Sequence, residues 1–198
     1  RANVYPTREF LAHGLGEGAV RGCRHCPSEL ETCAHIIGYC PAVQEARIKR
    51  HNILCSLLSK EAQGLGWVVY LEPHLRDKSN ELFKPDLVLV KGIRAIVVDV
   101  TVRYESGLST LSDAAAEKVG KYKHLVEEVR VLTSVSEIEF VSFPLGARGK
   151  WYNGNETLLI DLGLSSSRVK RIARVFSQRA LLSSVDIIHI FASRARQM

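Results

Sequence analysis

Two runs rich in valine and isoleucine, four residues apart, constrain this chain more than any other feature. Asp86–Val90 and Ala95–Val102 are apolar at successive positions, with Lys91-Gly92-Ile93-Arg94 between them. Runs of this kind suit strands buried on both faces, so the sheet they build must be covered on both sides. A symmetric two- or four-residue loop pairs position 91 with 94, or 90 with 95, and either register sets Asp86 directly opposite Asp99. Facing residues of antiparallel strands hold their Cβ atoms about 4.5–5.5 Å apart. Two carboxylates at that separation repel, and desolvation opposes their ionisation. A divalent cation reverses the sign: Mg²⁺ is held by one or two carboxylates and keeps positions for water and phosphate oxygens. The alternative is two strand-end aspartates, each paired with Lys or Arg.

The rest of the chain supplies covering layers. A helix is expected from Ala42 to Lys60, with Ile48, Leu54, Leu57 and Leu58 on one side and Gly64 and Gly66 ending it. Trp67–Leu71 reads as a short strand. A helix follows from Leu111 to Leu132, then a strand over Glu137–Phe143 closed by Pro144 and Gly146, then helix from Ser165 onward. Helix, three strands, helix, strand and helices describe an α/β sandwich around a small mixed sheet. Residues 1–22, with Pro6 and Gly14, Gly16, Gly18 and Gly22, read as an extended linker. No repeat or low-complexity tract interrupts the chain.

All five cysteines, Cys23, Cys26, Cys33, Cys40 and Cys55, lie in the first third of the 198 residues. An odd count clustered in this way argues against a disulfide framework. Cys23, Cys26, His35 and Cys40 form C-x2-C-x8-H-x4-C. Two thiolates from one tight turn, an imidazole and a third thiolate satisfy tetrahedral Zn²⁺ and leave no place for water, so the site is structural. Cys33 is an alternative to His35, and His25 offers another nitrogen. Residues 23–41 thus form a small zinc module. Cys55 reads as a small buried hydrophobe on the helix that follows.

Charge is uneven. The net +6 divides into +3 over residues 1–60, −2 over 61–160 and +5 over 161–198, which suits nucleic acid held by the flanks and a cation held by the centre. The bland alternative is a merely basic protein. Neither a secretory signal nor an apolar run as long as a membrane span is evident, so no membrane partner is expected. The chain opens Arg1-Ala2-Asn3 and reads as a piece of something longer.

Many metal nucleases place a lysine two residues after the second acid. Here Thr101 fills that slot, and the cation must come from elsewhere. On the next helix, Ala115, Val119, Tyr122, Val126 and Val129 define a buried stripe, with Lys118 about 60° and Lys121 about 120° from its centre. Lys118 leans toward the acids more easily, whereas Lys121 suits phosphate contact. Both lysines could instead be solvated. Near the end, Ser165-Ser166-Ser167 caps a helix whose Val169, Ile172, Ala173 and Phe176 are buried, while Lys170, Arg171 and Arg174 either grip phosphates or form a solvated face. Arg24 beside the thiols and Lys84 before Asp86 are further candidate nucleic-acid contacts.

These motifs in this order, namely the Cys-Cys-His-Cys knuckle, Arg47-Ile48-Lys49-Arg50-His51-Asn52, Lys84-Pro85-Asp86, Asp99-Val100-Thr101-Val102 and Lys118-x-x-Lys121-Tyr122, resemble the C-terminal region of site-specific non-LTR retrotransposon proteins, which insert mainly in ribosomal RNA genes or other repeats. The resemblance covers about residues 5–190. It implies an α/β fold with a PD-(D/E)xK restriction-endonuclease-like core over residues 42–198, a mixed central sheet flanked by helices, preceded by the CCHC knuckle. It also implies an endonuclease that nicks double-stranded target DNA in the nucleus, so that the freed 3′-hydroxyl primes reverse transcription of the element's RNA by an upstream reverse transcriptase domain of the same polyprotein. Asp86 and Asp99 would bind Mg²⁺ or Mn²⁺, Lys118 and Lys121 would match a displaced lysine motif, Tyr122 would accompany them, and the zinc knuckle would aid nucleic-acid binding. Glu72 and Glu105 are weaker candidates for assisting the metal. The competing expectation is a zinc-containing nucleic-acid-binding module on a nuclease-like scaffold that no longer cuts.

Overall fold

The computed structural model describes residues 5–15 and 18–194; Gly16, one of the expected loop glycines, lies outside them. Helices α1 (Arg8–Ala12) and α2 (Cys33–Gly38) precede a 3₁₀ turn at Pro41–Val43 and the long α3 (Gln44–Gly64). Strands β1 (Val68–Leu71), β2 (Leu75–Arg76), β3 (Leu82–Phe83), β4 (Leu87–Lys91) and β5 (Arg94–Arg103) follow. Then come α4 (Thr110–Tyr122), α5 (Val126–Thr133), β6 (Glu137–Gly146), α6 (Gly154–Asp161) and α7 (Ser166–Arg194).

The central sheet runs β1-β4-β5-β6. The β1–β4 and β4–β5 pairs are antiparallel, and β5–β6 is parallel through the α4–α5 crossover. The β4–β5 hairpin pairs Lys91 with Arg94 and Leu87 with Val98, the register the loop arithmetic requires. Gly92, at φ +60°, opens the two-residue turn in a conformation that costs glycine little.

Period-two alternation divides the core. Leu87, Leu89, Ile96, Val98 and Val100 face a layer of Leu54, Leu58, Phe143, Val169, Ile172 and Phe176 from α3, β6 and α7. Val88, Ala95 and Val97 face the opposite layer, with Tyr122, Leu125 and Val129. Each large side chain so buried contributes about 1.5–3 kcal/mol. Asp99 has the parity of Val97, so it points toward α4. Ile36, Cys40 and Val43 pack on Ile187 and Phe191, so the knuckle shares a core with the far end of α7.

Several expectations are corrected. The segment read as an extended linker contains α1, capped by Thr7 Oγ1 accepting from the Phe10 N–H. The single helix over 111–132 is two, broken at residues 123–125. Its buried residues are Leu111, Ala114 and Tyr122, so the inward stripe runs through Lys118 rather than beside it. Pro144 does not close β6, because β6 is an edge strand with β5 as its partner, and an edge tolerates the missing donor. Ile48 is exposed, on the side of α3 away from Leu54 and Leu58. Helix α7 has an 18-residue stretch with a mean hydropathy of 1.2, long and apolar enough to cross a membrane, contrary to the expectation. Packing accounts for part of that content: Val169, Ile172, Phe176, Ala180, Ile187 and Phe191 are buried, while Val175, Leu181, Leu182, Val185 and Ile190 are exposed.

Candidate metal centres and nucleic-acid cleft

The knuckle is built by a turn and a capped helix. The Cys23 N–H donates to the Ser28 carbonyl at 2.9 Å, closing the turn that carries Cys23 and Cys26. Thr32 caps α2 by accepting from the His35 N–H, which aims the imidazole back at the turn. Cys26 Sγ lies 3.2 Å from His35 Nε2 and Cys23 Sγ 3.9 Å from Cys40 Sγ. One donor atom from each of the four residues lies within 4.8 Å of the others, so the group could hold a zinc ion. Burial raises the Cys23 thiol and pushes Cys40 up to about 12, a cost that a bound cation removes. Cys33 points elsewhere, packing with Ile37 and Ala147. His25 Nε2 donates to the Phe191 carbonyl at 3.0 Å, with its ring edge-on to that of Phe191, outside the group. Arg24 is committed to the fully buried Glu31 through its backbone N–H at 3.0 Å and its Nε at 2.8 Å. Burial alone would raise Glu31, but Arg24 and the Arg8 N–H outweigh it and hold the carboxyl below its usual range.

The second centre lies where the hairpin meets α3 and α4. Asp86 stands one residue before β4, opposite Asp99 by the hairpin register. Asp86 Oδ2 accepts from the Val100 N–H at 2.6 Å and from His51 Nε2 at 3.2 Å. His51 is pushed up to about 11 by Asp86, with Cys55 adding to it. Asp99 is 4% exposed. Burial raises its pKa first, and the neighbouring Asp86 charge raises it further. Lys118 Nζ stands 3.0 Å from Asp99 Oδ1. That contact is an ion pair lying off the hydrogen-bonding direction, so Oδ1 keeps no hydrogen-bond partner among the described residues. A buried carboxylate facing a second carboxylate fits a hard divalent cation.

These groups share a cleft of about 360 Å³ with Arg47, Arg50, Lys84, Thr101, Lys121 and Tyr122. Five Lys and Arg side chains, with His51, thus surround two acids. Lys121 Nζ donates to the Tyr122 hydroxyl at 3.1 Å, which donates to the Lys84 carbonyl at 3.2 Å. Tyr122 is buried, and burial followed by the Asp99 charge raises its phenol. Thr101, in the slot where lysine is common, is buried at the cleft floor.

Arg47, Arg50 and His51 lie in the motif on α3 and have no role that their residue types alone reveal. Their i, i+3, i+4 spacing on α3 was the available signal. Arg47 donates to the Gly38 carbonyl at 2.7 Å and the Cys40 carbonyl at 3.4 Å. Arg50, 4% exposed, donates to Ser184 Oγ at 2.9 Å and the Ile37 carbonyl at 3.3 Å. Burial without a carboxylate partner lowers it to about 10. Two arginines therefore tie the end of α2 to the cleft wall. Lys170, Arg171 and Arg174 are exposed on α7, outside this cleft. Glu105 is held by the N–H groups of Arg148 and Lys150, so it is not among the acids at the cleft. Glu72 lies in an adjoining cleft that Asp86 also lines.

No family model matches the chain. It is 32% identical over 154 residues to a retrovirus-related Pol polyprotein from type-1 retrotransposable element R2 of Popillia japonica, covering 76% of the chain and 21% of that protein. It is 33% identical over 169 residues to the corresponding polyprotein of Bradysia coprophila, covering 84% of the chain and 19% of that protein. It is 30% identical over 185 residues to the Pol polyprotein from type-2 element R2DM of Drosophila melanogaster, covering 92% of the chain and 17% of that protein. The chain spans about a fifth of the length of these relatives. Its homologues are the Pol polyproteins of R2 non-LTR retrotransposons, at about 30% identity over most of its length.

Proposed function

We propose that this chain is a metal-dependent DNA endonuclease with a PD-(D/E)xK-type centre. It nicks double-stranded target DNA in the nucleus, so that the freed 3′-hydroxyl primes reverse transcription of a retrotransposon RNA by a reverse transcriptase of the same polyprotein. The observation that carries this reading is Asp86 set opposite Asp99, with Lys118 at 3.0 Å and four further cations around one cleft.

Asp86 and Asp99 are the residues that would hold Mg²⁺ or Mn²⁺. When bound, such an ion supplies the attacking hydroxide and stabilises charge on the phosphate and leaving oxygen. Lys118 balances Asp99 and presents its ammonium to charge that develops at the scissile phosphate. His51 and the Val100 N–H fix the Asp86 carboxylate. Lys84 and Lys121 attract and hold flanking phosphates, with Arg47 and Arg50 adding positive charge to the cleft wall. The zinc knuckle aids by fixing the cleft wall through Arg47 and Arg50.

Nicking of supercoiled plasmid with Mg²⁺ tests the reading on wild type, Asp86→Ala and Asp99→Ala. Loss of nicked circles in both variants is expected; equal nicking by all three sinks the assignment.

A further inference from the structure

Asp86 has a second set of neighbours that a hard cation does not use. His51 and Cys55 stand one turn apart on α3, so both project to the same side. Cys55 Sγ lies 3.7 Å from His51 Nδ1 and 3.8 Å from Nε2, and His51 Nε2 lies 3.2 Å from Asp86 Oδ2. One donor atom from each of the three falls within 4.8 Å of the others. Tetrahedral zinc, with bonds of about 2.0 Å to nitrogen and oxygen and 2.3 Å to sulfur, holds its donors about 3.3–3.6 Å apart. The knuckle's own contacts of 3.2 and 3.9 Å bracket that range, and the contacts that His51 makes with Cys55 and Asp86, from 3.2 to 3.8 Å, fall inside the same bracket.

We propose that His51, Cys55 and Asp86 form a second site for a zinc-class ion, and that filling it inhibits the Asp86/Asp99 centre. Thiolate and imidazole select zinc over magnesium, which prefers oxygen donors. The ion replaces the proton that His51 Nε2 now shares between Asp86 and the Val100 carbonyl at 3.0 Å. Nδ1–H then faces Asn52 Oδ1 at 3.4 Å, which holds the ring for metal binding. Three protein donors leave a fourth position. Cys55 and Asp86 also line a cleft of about 460 Å³ with Asn52, Ser59 and Glu72, from which water would complete the tetrahedron. Once Asp86 is shared with zinc, its charge no longer serves a hard cation beside Asp99, and the two ions repel. The binding claim stands by itself; the inhibitory claim rests on the nuclease reading above.

Metal analysis after gel filtration in excess zinc reads the first claim. Wild type is expected to retain two ions per chain, Cys55→Ala and Cys55→Ser one each. Co²⁺ added to protein whose knuckle already holds zinc should develop a thiolate-to-cobalt band in wild type alone. Cys55→Ser keeps the size of the side chain, so a folding defect of the alanine variant does not decide the result. A single ion in wild type, or two in both variants, overturns the site. For the second claim, zinc titrated into Mg²⁺-driven nicking should inhibit wild type, with about tenfold more zinc needed for Cys55→Ser. Equal sensitivity overturns the inhibition. A chain that binds two ions but nicks nothing refutes the nuclease reading and leaves the metal site standing.

Discussion

Lys118 reaches Asp99 but Asp86 is held by other groups: Nζ is 3.0 Å from Asp99 Oδ1, while Asp86 Oδ2 accepts from the Val100 N–H and His51. The two facing acids are therefore not equivalent. Asp99→Asn keeps the side chain's shape, removes a buried charge and its repulsion by Asp86, and gives up one ion pair, effects that oppose one another. Asp86→Ala leaves a buried N–H without its acceptor, which costs about 1–3 kcal/mol. Urea unfolding in chelator should show Asp99→Asn within about 1 kcal/mol of wild type and Asp86→Ala clearly weaker. Both should lose about a hundredfold or more of nicking, since several kcal/mol of metal-borne stabilisation is removed. The reverse order of stabilities contradicts the assigned partners.

The two α4 lysines separate by position. Lys118 sits in the buried stripe against Asp99, whereas Lys121 is exposed and rests on the Tyr122 ring at 4.8 Å. Lys118→Ala should depress single-turnover cleavage by about a hundredfold with DNA affinity little changed. Lys121→Ala should weaken DNA binding and reduce the slope of log K against log salt by about one. If Lys121→Ala abolishes cleavage of bound DNA and Lys118→Ala does not, the roles are exchanged.

The hairpin carried its own geometry in the sequence, because two buried strands and a short symmetric loop admit few registers, and Asp86 and Asp99 follow from it. The four residues that could hold a zinc ion are legible for the same reason: they lie within 18 residues and their spacing is local. His51 is not local to its partners. It meets Asp86 and Val100 across 35 and 49 residues, a contact set by how α3 crosses the sheet. Lys118 turns further inward than one continuous helix implies, because Val126 and Val129 belong to a separate helix and do not share the buried stripe of α4. Arg24 looked free beside the thiols; its partner Glu31 is buried by α1 and the knuckle turn together, a packing no residue pattern displays.

Glu31 makes stability depend on pH in a specific direction. Its folded pKa lies below the ordinary value of 4.5, so its contribution is complete above that value and is lost as pH falls through the lowered one. Arg24→Ala strands a buried carboxylate and should cost about 3 kcal/mol at neutral pH. The gap between wild type and variant should narrow below about pH 4.5, as Glu31 takes up its proton in the variant first. Unfolding free energies measured from pH 7 to pH 3 check this; a constant gap means Glu31 is not the group that Arg24 stabilises.

Removing zinc should reach the cleft as well as the knuckle. Arg47 binds the carbonyls of Gly38 and Cys40, Arg50 binds that of Ile37, and Ile36, Cys40 and Val43 pack on Ile187 and Phe191. Structural zinc contributes about 10–16 kcal/mol of binding energy to small modules, and an ion held by Cys23, Cys26, His35 and Cys40 would direct part of it to keeping residues 36–43 against α3 and α7. Cys40→Ser, or chelation, should lower the melting temperature by several degrees, an effect of about 1 kcal/mol or more. Amide exchange should accelerate not only over residues 23–40 but along the first turns of α3, including Arg47 and Arg50. DNA binding should weaken in step, because two guanidinium groups lose their anchors. Faster exchange confined to residues 23–40, with Arg47 and Arg50 still protected, would falsify the coupling and leave the knuckle as an appended module.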